Sequence, residues 1–271
     1  MNDDLGRPEK AYKDQDFMRG QDGRPLRMLA EYLEPKARFE RYRVDDTIVF
    51  YGSARIPSRE TAEAEVEKAK ANGGDMARAE KRLELSAYYE ASRALAHRLT
   101  EWSKSLDDVD RRFVICTGGG PGIMEAANRG ASEAKGINIG LGISLNFEEP
   151  PNPYVTRELA FTFHYFFMRK FWFAYHAKAI VVMPGGFGTL DELFELLTLV
   201  QTGRIRKRMP TVLFGKDYWS KVLNLETLVE YGTISPTDLD LFILTDSVDE
   251  AFDYVTHELK AHALESPGLS L

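Results

Sequence analysis

Two glycine-rich turns and two pairs of adjacent charges are the places where this chain could do chemistry. The first turn, Thr117-Gly-Gly-Gly-Pro-Gly122, follows the apolar run Arg112–Cys116; the second, Pro184-Gly-Gly-Phe-Gly-Thr189, follows Ala179–Met183. Each opens a segment with helical spacing. A strand–glycine turn–helix unit bares backbone N–H groups and the positive end of a helix dipole toward an anion. In the first turn Gly118, Gly119 and Gly120 permit positive φ and close approach of a ligand to the backbone, and Pro121 suits a first helical turn. The bland reading is a tight strand-to-helix connection. In the second, Gly185, Gly186 and Gly188 strip side chains from the loop and Thr189 can offer a hydroxyl at the helix start, a nest suited to a phosphomonoester.

Asp191 and Glu192 come directly after the second turn. On a helix they are roughly 100° apart, so one pocket takes only one of them. The spacing does not choose between them, and both also fit as acids that merely favour a helix start. The stretch FTFHYFFMRKFWFAY, Phe161–Tyr175, sets Arg169 and Lys170 inside aromatic residues of the kind found in cores and subunit interfaces. Burying two cations without partners is costly. They either snorkel to solvent or face an anionic ligand or the carboxylate of the second turn.

Other chemistries lack their residues. Neither turn is a G-x-G-x-x-G fingerprint or a P-loop ending in Gly-Lys-Ser/Thr, and no G-x-S-x-G elbow occurs. The five histidines make no H-E-x-x-H or paired Cys/His spacing, so no metal site is expected. Cys116, the single cysteine, reads as a packed strand residue.

The elements that must position these groups alternate. Strands are expected at Thr47–Tyr51 (ending in Gly52-Ser53-Ala54-Arg55), Phe113–Thr117, Asn138–Leu145, Leu159–Phe163, Ala179–Met183, Thr211–Phe214 and Phe242–Leu244. Helices are expected at Pro25–Tyr42, Arg59–Ala71, from Asp75 as N-cap to about Ser103, Gly122–Ala134, His164–His176, Thr189–Gln201, Tyr218–Tyr231 and Val248–Leu264. Glu149–Pro153 is a proline-punctuated loop and residues 1–24 a flexible arm. Short apolar strands alternating with helices predict an α/β fold with a parallel sheet covered on both faces. Ligands of such sheets bind beyond the strand C-termini, where both glycine turns fall. The expected organisation is an arm and short helix over 1–45, one Rossmann-like domain over 46–265, and a tail over 266–271.

Composition narrows the setting. The chain has 271 residues, 44% hydrophobic and 28% charged, as in an ordinary globular protein. A net charge of −7 argues against broad binding to nucleic acid or to an anionic membrane. The absence of a long apolar run, the polar N-terminus and the lone thiol predict a cytoplasmic location.

Taken together, Gly118-Gly-Gly-Pro-Gly-Ile-Met124, Ala131, Arg169-Lys170 and the full string Pro184-Gly-Gly-Phe-Gly-Thr-Leu-Asp-Glu192 resemble the LONELY GUY (LOG) family, long labelled "lysine decarboxylases". The match runs from about Thr47 to Leu264. Residues 1–45 and the charged insert near 59–85 resemble the longer bacterial branch, which often carries a G-S-A-R turn. The resemblance implies a modified Rossmann fold and a phosphoribohydrolase that cleaves a nucleoside 5′-monophosphate, AMP or a cytokinin riboside 5′-monophosphate, to free base and ribose 5-phosphate, with no cofactor. It implies that Glu192 is the catalytic carboxylate and Arg169 its basic partner. Gly185, Gly186, Gly188 and Thr189 would hold the phosphate, and Lys170, Thr198 and Glu149 would line the nucleotide site, with Gly118–Gly120 shaping the pocket floor. It further implies a homodimer or larger homo-oligomer, with the site near a subunit interface.

Three other functions compete. A pyridoxal-phosphate lysine decarboxylase would need a Schiff-base lysine, Lys170 or Lys178, and leaves the carboxylate after the second turn unexplained. A non-catalytic nucleotide or cofactor carrier shares the fold. A DNA-binding relative fits poorly with the acidic balance.

Overall fold

The computed structural model describes residues 8–106, 111–144 and 150–264. Among them, β1 (Thr47–Tyr51), β2 (Val114–Thr117), β3 (Asn138–Ile143), β4 (Ala160–Phe163), β5 (Ala177–Val182), β6 (Thr211–Phe214) and β7 (Ile243–Thr245) form one sheet in the order β4-β3-β2-β1-β5-β6-β7. Every pairing is parallel. The strand order reverses between β1 and β5, so the crevice of a doubly wound sheet opens there, beyond their C-termini.

The helices are α1 (Gln15–Arg19), α2 (Arg24–Tyr42), α3 (Arg59–Asn72), α4 (Met76–Lys104), α5 (Ile123–Glu133), α6 (Phe166–His176), α7 (Phe187–Gln201), α8 (Lys216–Val222), α9 (Leu225–Glu230) and α10 (Val248–His262). They cover both faces, and the strands are largely apolar for that reason. Along β1 the period of two divides the core. Ile48 and Phe50 join Leu95 and Leu99 of α4, Ile123 of α5 and Val255 of α10. Val49 and Tyr51 join Phe39 of α2, Trp172 and Phe173 of α6, and Leu193 of α7. Among the described residues no helix is long and apolar enough to cross a membrane.

Several expectations are corrected. The helix read over Tyr218–Tyr231 is two, broken at Leu223-Asn224, where the Asn224 side chain accepts from Thr227 N–H and caps α9. The described part of the N-terminal arm contains α1, capped by Asp14, and Arg27 of α2 holds it through the carbonyls of Met18 and Gly20. α6 starts two residues later than expected and α7 two residues earlier. Asp75 caps α4 as read, accepting from Arg78 N–H at 3.0 Å.

Candidate active site

The turns after β1, β2 and β5 meet at the crevice. Ser53 N–H donates to the Pro184 carbonyl at the second glycine turn, and Ile123 N–H, past the first, donates to the Ser53 carbonyl. Gly122 has φ +69° and lies so close to Ser53 that a side chain would overlap the Ser53 carbonyl. Only glycine takes that backbone and that contact without strain. Gly119, at φ +71°, packs on Gly140 of β3. Gly120 lies against Met124, and a Cβ on Gly118 would stand 2.8 Å from the Met124 sulfur and 3.9 Å from Arg169 Nη1. The first turn therefore borders the Arg169 guanidinium.

In the second turn the three glycines differ. Gly185 is buried against the Thr189 side chain, and its carbonyl accepts from the Tyr218 hydroxyl at 2.6 Å. Gly186 and Gly188 face open space, and Phe187 between them is 92% exposed. Thr189 is buried in the first turn of α7 rather than capping it; Gly186 is the N-cap.

α6 and α7 pair their adjacent charges in register. Arg169 Nη2 donates to Glu192 Oε1 at 2.9 Å, with side chains only 13% and 14% exposed. Phe166 and Phe173 flank the guanidinium, with ring centroids 5.4 and 5.6 Å from it. One residue on, Lys170 Nζ meets Asp191 at 2.9 Å and Glu195 at 3.1 Å, and here the acids face solvent. The ambiguity left by the sequence is resolved by burial: Glu192 points in and Asp191 points out.

Burial disfavours the Glu192 carboxylate; Arg169 opposes this and Asp191 adds to it, with the pKa pushed up to about 7. Lys170 behaves differently. Burial works against its charge, but hydrogen bonds to Asp191 and Glu195 outweigh it and its pKa is raised. Tyr51, at the C-terminal end of β1, lies beneath the pair, edge-on to Phe173 at 5.2 Å. Burial, then the charge of Glu192, lifts its hydroxyl pKa well above the usual range. Its place as the last residue of an apolar strand was the available signal for it. Burial also pushes the Cys116 thiol pKa up, as for a packed strand residue.

The predicted set is thus partly assembled. Gly118, Arg169 and Glu192 come together, joined by Tyr51, which the sequence did not single out, with Gly185, Gly186, Gly188 and Thr189 one turn before Glu192. Thr198 does not join them. It lies on the outer face of α7, its hydroxyl donating to the Phe194 carbonyl at 2.7 Å, in a groove of about 550 Å³ shared with Lys170, Asp191 and Glu195. Glu149 lies outside the described residues. The loop after it is held by Asn152, whose side-chain amide donates to the Gly119 and Gly120 carbonyls at 3.1 and 3.0 Å and to Asn128 Oδ1 at 2.9 Å.

A parallel doubly wound sheet with a buried arginine–glutamate pair and two glycine turns at its switch point defines an α/β protein with a candidate site at the crevice. Residues 124–255 match the family model described as "Possible lysine decarboxylase". The cytokinin riboside 5′-monophosphate phosphoribohydrolase LOG1 of Arabidopsis thaliana is 36% identical over 112 residues, 38% of this chain and 52% of that protein. LOG5 of the same plant is 29% identical over 147 residues, 52% of this chain and 62% of that protein. The probable rice enzyme LOG4 (Oryza sativa subsp. japonica) is 36% identical over 90 residues, 32% and 38% of the two chains. Over these stretches the chain is similar to the LOG family. Its match spans less than two thirds of each of these relatives. Among solved structures, the Moco carrier protein of Chlamydomonas reinhardtii is 17% identical with a TM-score of 0.49, covering 80% of this chain and 99% of that one.

Proposed function

We propose that this protein hydrolyses the N-glycosidic bond of a nucleoside 5′-monophosphate, with AMP or a cytokinin riboside 5′-monophosphate as substrate. The observation that carries this is the buried Arg169–Glu192 pair, set one helical turn past an open glycine turn. The phosphoribohydrolase names of the relatives support it. In the reaction the C1′–N bond breaks, the base leaves with the electron pair and is protonated, and water adds to C1′. The ribose passes through an oxocarbenium-like state, as in glycoside hydrolysis. Glu192 as carboxylate stabilises that positive charge and accepts the water proton. Arg169 balances Glu192 before substrate arrives and then turns to the nucleotide. Phosphate held at Gly186, Gly188 and the first turn of α7 supplies binding energy remote from the bond that breaks.

The protein works in the cytoplasm, for which its single, buried thiol is the support. Exposed Phe166, Phe167, Phe187 and Phe194 beside the site support a homo-oligomer with the site near its interface, testable by light scattering.

Incubation with a panel of nucleoside monophosphates, isopentenyladenosine monophosphate included, should release free base and ribose 5-phosphate. Tight AMP binding with no base released would make the protein a carrier instead.

A further inference from the structure

The helix that carries Arg169 is not capped by its own sequence. Tyr165, its N-cap, makes no side-chain capping bond. That end is occupied from α2, more than 130 residues away in the chain: Glu31 Oε1 accepts from His164 N–H at 2.7 Å, and Oε2 from Tyr165 N–H at 3.2 Å. A carboxylate at a helix N-terminus complements the dipole and satisfies donors that have no intrahelical partner. The same residue holds α6 further along, its main-chain carbonyl accepting the Trp172 indole N–H at 2.9 Å.

The contacts form a chain. Glu31 fixes the Tyr165 N–H, the Tyr165 carbonyl accepts the Arg169 N–H at 3.2 Å, and the Arg169 guanidinium reaches Glu192 at 2.9 Å. We propose that Glu31 is a positioning residue for the Arg169–Glu192 pair, its carboxylate fixing the first turn of α6 and with it the reach of Arg169 to Glu192. This rests on the proposed hydrolase reading for its effect on turnover, and on geometry alone for its effect on Glu192. α2 is thereby part of the active-site scaffold.

The consequence is specific because Arg169 is the cation that offsets the burial of Glu192. The charged and titratable groups facing Glu192 are Arg169 and Lys170 from α6, Asp191 and Glu195 from α7, and Tyr51 from β1. Loosening α6 withdraws the two cations and leaves the acids and Tyr51 in place. Glu192 then ionises at higher pH, and the pH at which the enzyme switches on moves up with it.

The test uses the full chain and three variants. Glu31→Ala removes both hydrogen bonds, and Glu31→Gln keeps one acceptor without the charge. Arg38→Ala loosens α2 from the Glu158 and Ala160 carbonyls without touching the α6 terminus. With AMP as substrate, Glu31→Ala should lower kcat at neutral pH on the order of tenfold, with KM within about twofold, and activity should recover at higher pH. The Glu192 midpoint, followed by carboxyl-carbon NMR, should rise by about one pH unit or more. Glu31→Gln should fall between wild type and Glu31→Ala, and it carries the test alone if the alanine variant does not fold. Arg38→Ala should lower Tm and leave the midpoint in place. An unmoved Glu192 midpoint in both Glu31 variants, or an equal shift in Arg38→Ala, overturns the proposal. A wild-type protein that hydrolyses no nucleoside monophosphate overturns the function instead, and the NMR titration still decides the role of Glu31.

Discussion

Two adjacent cations on α6 meet adjacent acids on α7, and one step along the helices separates two kinds of ion pair. Arg169–Glu192 lies under Phe166 and Phe173 at the crevice, so burial competes with the partner charge and the acid is poised near neutrality. Lys170–Asp191 lies at the rim, its acid 58% exposed, and there the pairing raises the lysine pKa. Residue types and distances are nearly the same in the two pairs. What differs is desolvation, which makes the inner carboxylate a candidate for proton chemistry and leaves the outer pair as surface electrostatics, each such pair adding ~0.2–1 kcal/mol.

The sharpest way to break this contrast is to remove each acid in turn. Glu192→Ala should lower kcat for AMP hydrolysis by on the order of 10³-fold while AMP still binds, as read by calorimetry. Asp191→Ala should change kcat by no more than about threefold; comparable losses in the two variants would erase the distinction. Arg169→Ala should cost on the order of 10²-fold and raise the pH midpoint of kcat/KM, because the cation that opposes burial is gone.

Stability offers a quieter test with a definite sign. The folded pKa of Glu192, about 7, lies above its ordinary 4.5, so folding favours the protonated acid. That contribution is complete below pH 4.5 and is lost as pH rises through 7. Glu192→Gln, which mimics the protonated form, should therefore raise unfolding free energy by about 1–3 kcal/mol at pH 8 and leave it nearly unchanged at pH 4, by denaturant titration. Equal effects at both pH values would contradict the assigned burial. The second glycine turn allows a finer comparison. Gly185→Ala should cost about 1–3 kcal/mol by colliding with Thr189, whereas Gly186→Ala, in open space, should leave Tm nearly unchanged.

Much of the molecule was legible along the chain. The strands at Thr47–Tyr51 and Thr211–Phe214 fall where their apolar runs begin and end, because a strand buried on both faces writes its boundaries in consecutive residues. The split between α8 and α9 was missed because Leu223-Asn224 carries neither glycine nor proline, and Asn224 acts as a cap only where the chain has already turned. Thr198 enters the site only through the family resemblance, and on α7 it lies on the outer face, in the groove shared with Asp191. Glu31 gave no local signal at all, since its partners are backbone N–H groups of a distant segment.

The sequence by itself determined the parallel sheet, the two glycine turns at its C-terminal edge, and the residue types that the proposed reaction would use. These are properties of short segments, fixed by periodicity and by the missing side chains of glycine. The inward-facing Glu192 and its Arg169 partner agree with what the family resemblance implied, while tertiary structure alone decided how deeply the pair is buried, that Tyr51 lies beneath it, and that α2 holds the start of α6. Those outcomes depend on how two helices rotate against a sheet and how much water that removes, and desolvation is a property of the packed whole rather than of any stretch of chain.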